Sequence, residues 1–345
     1  MVYLNAISYH LPDTTLSNTT ILEEYRYYGG EDATITSEGI YEQCGVRNRH
    51  ICPLEDTAKD LGNRASEKLF EEWNIDRGTI DYIIFVSDAL EYKGPTTACV
   101  MQHNLKLNTS MGAIDILHGC TGWIYGLSLA KALVVAGQAT KVLLVTADVP
   151  TKVIHPLDVE LRAIFSDGGA ATLISNEPME NGLNAEIHNF TLGTDGAGEK
   201  NLWVERSATR EPADIEWLEP YKDLPTKLVG GRLRMSSPKI FMFALRKVPG
   251  LINETLNKHQ LKKEDVDFFI LHQANGTMLD FLRKRMKIPK EKFIISIENT
   301  GNTVSASIPL AAKGLMDKSV FKKGDTILVA GFGIGYSWGA TILTL

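Results

Sequence analysis

The chain reads as an α/β protein made of two similar halves, and three features of the sequence predict this. Short apolar or β-branched runs, as in buried strands, alternate with segments whose apolar residues recur at helical spacing. The run Gly169-Ala170-Ala171-Thr172-Leu173-Ile174 returns 170 residues later as Gly339-Ala340-Thr341-Ile342-Leu343-Thr344, an offset close to half the chain. The 345 residues, 44% of them hydrophobic, are enough for two fused halves with a large core.

Taken in order, residues 2–9 read as a first strand, closed by the turn chemistry of Pro12-Asp13-Thr14. Ser17-Asn18-Thr19 caps a short helix over Thr20–Tyr27. Gly29–Ile40 is polar and reads as irregular, whereas Asp56–Trp73 carries Ala58, Leu61, Ala65 and Leu69 at helical spacing. Tyr82–Val86 is a compact strand that ends at Ser87-Asp88, and a helix from Thr97 to about Leu105 follows. Residues 113–117 form the next strand, and from Trp123 a helix repeats Leu127, Ala130 and Val134. Lys141–Thr146 and Ala170–Ser175 are two more buried strands. The order then partly repeats: helix Ile240–Leu256, strand Asp267–Leu271, helix Thr277–Met286, strand Phe293–Ile297, helix Ser305–Met316, strand Thr326–Val329 and a last strand Ala340–Leu345. Residues 1–175 and 239–345 are thus the two halves. Between them, 176–238 holds the polar, proline-bearing stretch Glu199–Pro225 and reads as an insertion that caps the site.

The net charge of −6 argues against a general nucleic-acid binder, so any basic docking surface is local. The four cysteines, at 44, 52, 99 and 120, show no CxxC or zinc spacing, which points to a thiol-reducing compartment. The N-terminal run Met1-Val2-Tyr3-Leu4-Asn5 lacks a signal-peptide pattern, and no apolar run reaches the ~18 residues of a membrane span. These features predict a cytoplasmic protein with no membrane span.

Cys120 lies between the strand 113–117 and the following helix, flanked by Gly119 and Gly122. At such a junction free N–H groups and the helix dipole favour an anion, so a thiolate of lowered pKa is expected; the glycines let a ligand or another backbone approach closely. A cysteine packed in the core is the plainer alternative. Three stretches of the second half also stand at strand ends, where α/β sheets bind ligands: His272-Gln273-Ala274-Asn275, Asn299-Thr300-Gly301-Asn302-Thr303 and Gly331-Phe332-Gly333-Ile334-Gly335-Tyr336-Ser337-Trp338-Gly339. Each alone is an ordinary cap, turn or glycine loop. Together, a Cys, a His and an Asn at three strand ends match a nucleophile, a base and a donor. No ligand cluster for a metal or redox cofactor is present in the pattern, so no cofactor is expected.

Several motifs, spread over nearly the whole chain, carry a resemblance. These are Cys44-Gly45-Val46-Arg47-Asn48-Arg49-His50, Asp115–Leu127, Phe165-Ser166-Asp167-Gly168-Gly169-Ala170, His272–Asn275, Gly301-Asn302-Thr303 through Ser307-Ile308-Pro309, and Gly331–Gly339. With them the sequence resembles the β-ketoacyl-acyl-carrier-protein synthase III family of the thiolase superfamily. The resemblance implies a five-layered αβαβα fold of two pseudo-repeated halves, and a homodimer. It also implies Cys120 as acyl-accepting nucleophile, His272 and Asn302 as the pair that assists decarboxylation and condensation, and an oxyanion hole from the backbone N–H groups of Cys120 and Ile334. Asn275, Gly333 and Gly94 fall at substrate-binding positions, and Arg283, Lys284 and Arg285 at the docking surface for an acidic acyl carrier protein. Acyl and malonyl thioesters are the implied substrates.

Departures from the family pattern are informative. Gly39 and Gln43 replace the Trp and Arg that flank the coenzyme A adenine, and Val159 replaces an arginine that grips the nucleotide. Thr277 stands where an arginine contacts the carrier, Ile334 where the family has glycine, and Gly94 where an aromatic residue plugs the acyl pocket across the dimer. A donor other than acetyl-CoA is expected. His118 reads as a strand-end histidine bonded to backbone or as a catalytic part, and Asp88 as an extra acid or base. Two rivals to a condensing enzyme are an acyltransferase that passes its acyl group to a hydroxyl or amine, and a non-catalytic dimer partner or carrier-binding module.

Overall fold

The computed structural model describes residues 1–211 and 231–345. The first half runs β1 (Tyr3–His10), β2 (Thr15–Ser17), α1 (Asn18–Tyr27), α2 (Ser37–Cys44), β3 (Asn48–His50), α3 (Ala58–Glu72), β4 (Tyr82–Ser87), α4 (Thr97–Asn104), β5 (Gly112–Leu117), α5 (Gly122–Val135), β6 (Lys141–Asp148), α6 (Val159–Ile164) and β7 (Gly168–Ser175). Next come β8 (Ala185–Ile187), β9 (Thr191–Thr194), β10 (Leu202–Glu205) and β11 (Arg232–Met235). The second half continues with α7 (Ser237–Lys258), β12 (Phe268–Leu271), α8 (Gly276–Met286), β13 (Phe293–Ile294), α9 (Ser307–Met316), β14 (Thr326–Gly333) and β15 (Ser337–Thr344). None of the described helices is long and apolar enough to cross a membrane.

The strand order is β13-β12-β14-β15-β8-β1-β7-β6-β4-β5, with β9 beside β15. It reads the same from both ends once β4, β5, β6, β7 and β1 are matched with β12, β13, β14, β15 and β8. Hydrogen bonding obeys the same match. β4 runs parallel to β5 and β6, as β12 does to β13 and β14, while β7 and β15 are antiparallel to their neighbours. The repeat read from two glycine-headed runs is therefore a duplication of the whole half.

Helices α5 and α9 each pack on strands of both halves, α5 on β4, β6, β14 and β15, and α9 on β1, β7, β12 and β14. They form the middle layer. α3 and α4 cover the outer face of the first half, and α7 lies on the strands of the second with α8 beside it, giving five layers, αβαβα. The sequence of α5 explains its central place: Trp123, Ile124, Leu127 and Ala130 are fully buried, and a helix apolar on most of its sides belongs in a core. Gly122 and Gly126 bring it close to the sheet, since a Cβ at either would come within 2.5 and 2.6 Å of Val86 and Leu144.

The structure corrects four readings. Gly29–Ile40 is not irregular throughout, because Thr36 caps α2 by accepting from Gly39 N–H at 3.0 Å. The strand expected over Phe293–Ile297 pairs only through Phe293 and Ile294. Gly331–Gly339 is a continuous hairpin, with Gly331 opposite Gly339 and Gly333 opposite Ser337, rather than a loop after a strand. Segment 176–238 is more than an insertion: β8 bridges β1 and β15 and so joins the two halves, and β9 extends the second. Residues 212–230 of the expected cap lie outside the described residues.

Candidate active site

Cys120 sits at the corner between β5 and α5, buried to 5% exposure. The turn is closed by Gly122 N–H donating to the Gly119 carbonyl at 2.7 Å, and Thr121 is tied to the second half by a 2.6 Å contact with the Ser337 hydroxyl. The β14–β15 hairpin lies directly over the sulfur. A Cβ on Gly333 would stand 2.5 Å from Cys120 Cβ and 2.6 Å from Sγ, so this position has room only for hydrogen. Gly333, expected at a substrate-binding position, thus makes space for the Cys120 sulfur itself. The backbone N–H groups of Ile334 and Cys120 lie on the side of the sulfur where they favour its thiolate form. These are the two donors expected of an oxyanion hole, and the isoleucine side chain leaves them in place.

The sulfur's electrostatics run against the expectation of a lowered pKa. Burial, helped by the nearby Asp88 and Asp148 carboxyls, pushes the Cys120 thiol up to about 12, while its two N–H contacts pull the other way. Desolvation of a thiolate outweighs the helix terminus here. The resting group is a thiol.

His272 and Asn302 arrive from the second half. His272 follows β12, is 1% exposed, and its Nδ1 lies 2.7 Å from the Ser307 hydroxyl of α9. Ser307 Oγ also accepts from Gln273 N–H at 3.3 Å; with its own hydrogen turned to Nδ1, the ring proton is carried on Nε2. Burial pulls the His272 pKa down to about 3, with a backbone hydrogen bond at Val304 opposing. The ring is therefore a neutral donor. Asn302 Oδ1 accepts from Val304 N–H at 2.9 Å, which fixes the amide so that Nδ2 donates, one hydrogen going to the Ala274 carbonyl at 3.2 Å. Val304 links the three groups. Its backbone contacts His272 and Asn302, and its side chain shares with Cys120, Phe165 and Ile334 the wall of a void of about 20 Å³. The residue holds a φ of +52°, a costly conformation for a β-branched side chain and one found at constrained sites.

The corner carrying Asn302 is fixed from below. Gly301 (φ +63°) has no room for a Cβ, which would come within 2.7 Å of Ser166 and 3.2 Å of Arg49. Arg49 is fully buried and donates to the Ala163 carbonyl at 2.8 Å and to the Val46 carbonyl at 3.2 Å. Burial lowers its pKa to about 10, so it stays charged.

A cavity of about 780 Å³ opens beside the Cys120 corner, lined by Asp88, His118, Tyr125, Val149, Val204 and Ile334 among others. The His118 ring lies 4.6 Å from that of Tyr125 at a tilt of 32°, its Nδ1 is buried without a hydrogen-bond partner, and burial lowers its pKa. The expected ring-to-backbone bond at that nitrogen is absent. Gly94 is exposed, with open space where a Cβ would go, and lies just past Tyr92 and Lys93 of the cavity wall. Asn275 caps α8, accepting from Met278 N–H at 2.9 Å, and reaches the Gln43 carbonyl at 3.4 Å. Of the three expected carrier-docking cations, Arg283 and Lys284 are both paired with Asp280, at 2.8 and 2.7 Å, and Arg283 is only 16% exposed. Arg283 therefore serves mainly to close the C-terminal end of α8, donating to the Ile288 carbonyl as well. Sequence reasoning missed Asp148, Ser305, Ser307 and Val304. Val304, Ser305 and Ser307 lie within the motif 301–309 without having been given roles, and the only signal for Asp148 is its place at the end of β6.

Residues 114–196 match the family model for 3-oxoacyl-[acyl-carrier-protein] synthase III, and residues 256–345 match the model for its C-terminal part. The β-ketoacyl-[acyl-carrier-protein] synthase III of Caldanaerobacter subterraneus is 33% identical over 309 residues, 89% of each chain. That of Koribacter versatilis is 30% identical over 340 residues, 99% of this chain and 96% of its own. A crystal structure of a 3-oxoacyl-(acyl-carrier-protein) synthase III superposes with a TM-score of 0.90 at 37% identity, covering 100% of this chain and 99% of that one. The Aquifex aeolicus enzyme of the same name gives 0.84 at 26% identity, covering all of both. With the duplicated five-layered fold and these matches across both halves, the chain belongs to the 3-oxoacyl-[acyl-carrier-protein] synthase III family of condensing enzymes.

Proposed function

We propose that Cys120 takes an acyl group from a thioester and that His272 and Asn302 then promote decarboxylative condensation with a malonyl-type thioester, giving a 3-oxoacyl thioester. The observation that carries this reading is the convergence at one void of the Cys120 sulfur, two backbone N–H donors and the Val304 turn that holds His272 and Asn302. Attack of sulfur on the acyl carbonyl puts negative charge on oxygen, where the N–H groups of Cys120 and Ile334 can hold it. Loss of carbon dioxide leaves an enolate oxygen. A neutral imidazole with its proton on Nε2 and a primary amide are donors that hold such charge without quenching the carbanion, which then attacks the acyl-Cys120 carbonyl.

The donor is a carrier-bound or bulky acyl group rather than acetyl-CoA. Gly39 and Gln43 on α2 and Val159 at the start of α6 offer no aromatic stack and no guanidinium. The nearby Arg47 is engaged, stacked on Tyr41 at 3.6 Å and paired with Glu298 at 3.0 Å. Arg285 and the exposed Phe281 of α8 are available to an acidic carrier, with Lys284 beside them. A second copy of the chain pairs along β5, the edge strand, whose Ile114 and Leu117 are 37% and 70% exposed. The described cysteines are all free, which fits a thiol-reducing compartment such as the cytoplasm.

Intact-protein mass spectrometry after incubation with acyl-CoA and acyl-carrier thioesters of rising length tests the reading. Cys120→Ala is expected to gain no acyl mass, while His272→Ala and Asn302→Ala still acylate but lose carbon dioxide release. An acyl mass on Cys120→Ala, or undiminished decarboxylation in both other variants, would refute the assignment. A marked preference for acetyl-CoA would refute the donor.

A further inference from the structure

One side chain on the wall of the large cavity is left without a partner by the protein. His118 follows β5, and its N–H donates to the Ser87 carbonyl at 3.2 Å, which pins its backbone across the ends of β5 and β4. Its side chain leaves beside the first turn of α5, its Cβ 3.6 Å from where a Cβ on Gly122 would be, and the ring packs against Tyr125 of the same helix. Nδ1 is sealed and meets no donor or acceptor. The other nitrogen, Nε2, is open to the cavity that the residue lines and takes no hydrogen bond from the described residues. Other polar side chains on this wall are engaged within the protein. The Tyr125 hydroxyl donates to the Gly193 carbonyl at 3.2 Å, the Ser337 hydroxyl to the Ile334 carbonyl at 2.8 Å, and the Lys152 ammonium to the Pro53 carbonyl at 3.1 Å. The cavity adjoins the void at Cys120, since Asp88, Pro150, Val153, Val204 and Ile334 line both. An acyl group on the sulfur therefore has this cavity as its room to extend.

We propose that His118 is a specificity-determining residue, its Nε2 selecting an acyl group that carries a hydroxyl over a plain alkyl chain of the same length. The inference rests on the acyl transfer to Cys120 proposed above and names the class of acyl group. Burial keeps the ring neutral, with one proton shared out to one of its two nitrogens. A hydroxyl both donates and accepts, so it can bond Nε2 in either tautomer. A plain alkyl chain would strip water from Nε2 and put nothing in its place. A site whose hydrogen-bonding group is left unpaired in this way discriminates against such a ligand. A charged substituent fits less well. An ammonium brings the larger cost of desolvating a charge, and a carboxylate would also be set beside Asp88 and Glu91 of the same wall.

Acyl-pantetheine amides, in which N–H replaces the thioester sulfur, cannot acylate Cys120 and so test the site without the reaction. Calorimetric titration compares the octanoyl amide with hydroxyoctanoyl amides whose hydroxyl moves from the third carbon to the last. At least one hydroxylated analogue is expected to bind about tenfold more tightly than the octanoyl amide. His118→Phe keeps a ring against Tyr125 and removes both nitrogens, so it should bind the two within about twofold of each other. His118→Gln, whose neutral amide both donates and accepts, should keep part of the preference. His118→Leu is a second apolar variant for the same titration in case His118→Phe does not fold. Acylation of Cys120 by the matching thioesters, read by intact mass, should follow the same order. Equal binding of all the analogues, binding of none, or a preference that survives in the apolar variants would each overturn the proposal. A His118-dependent preference in binding with no acyl mass from any thioester would instead refute acyl transfer to Cys120 and uphold His118 as the recognising group of the cavity.

Discussion

At the scale of single residues, the site is a set of groups held in their neutral forms. Cys120 is a thiol at rest, so at pH 7.5 iodoacetamide should label the exposed Cys99 faster than Cys120, with the Cys120 rate still climbing above pH 9. Peptide mapping of a brief labelling time course checks this order. His272 gives a pH prediction with a definite sign. Its folded pKa lies near 3, below the unfolded value of about 6.5, so the unfolded chain binds the extra proton between those limits. The contribution of this group is complete above pH 6.5 and is lost as pH falls towards 3. Thermal unfolding from pH 7.5 to 5 should show a smaller drop for His272→Gln than for the unmodified protein. Gly333→Ala places a methyl group against the sulfur and must displace Cys120 or the hairpin. A misplacement on the order of 1 Å can cost about 100-fold in rate, so acylation should fall by roughly that much while the circular dichroism spectrum is kept.

At the scale of elements, the corner that carries Asn302 depends on the first half of the chain. Arg49→Met should remove the donors to the Ala163 and Val46 carbonyls and lower unfolding stability by about 2–3 kcal/mol, as expected for losing charged hydrogen bonds in a buried site. Urea unfolding measures it, and decarboxylation should fall with it if the corner shifts. The same scale explains which elements could be read from the sequence. α3, β4, α5 and β6 carry long apolar patterns and were legible to within a residue or two. β8 was not, because Ala185-Glu186-Ile187 is too short to show a period and becomes a strand only between β1 and β15. The glycines of 331–339 read as a loop because glycine usually marks turns. Here they clear space for Thr121 and Cys120 while the strands stay paired. Cys120, His272 and Asn302 stood out as candidates because each follows a strand. The protonation state of Cys120 was not, because helix-terminus logic is local and its burial comes from residues some 200 positions away, such as Gly333 and Ile334.

At the scale of the whole molecule, the palindromic strand order leaves two edges of unequal quality. β13 pairs through two residues only, whereas β5 is a full strand with exposed apolar side chains. An edge of that kind favours pairing with another chain, and sedimentation is expected to give a dimer that Ile114→Lys combined with Leu117→Lys converts to monomer. The monomer should also turn over more slowly if the partner completes the acyl cavity beside Gly94. The hairpin over Cys120 has a consequence for the chain during its synthesis. Gly333, Ile334 and Val304 all follow the sulfur by more than 180 positions, so a ribosome has long since released Cys120 before its cover exists. Folding proceeds from the N-terminal side as the chain emerges. Until the final hairpin closes, the thiol lacks the burial that holds its proton, and oxidants and electrophiles react with it faster in that interval than in the finished enzyme.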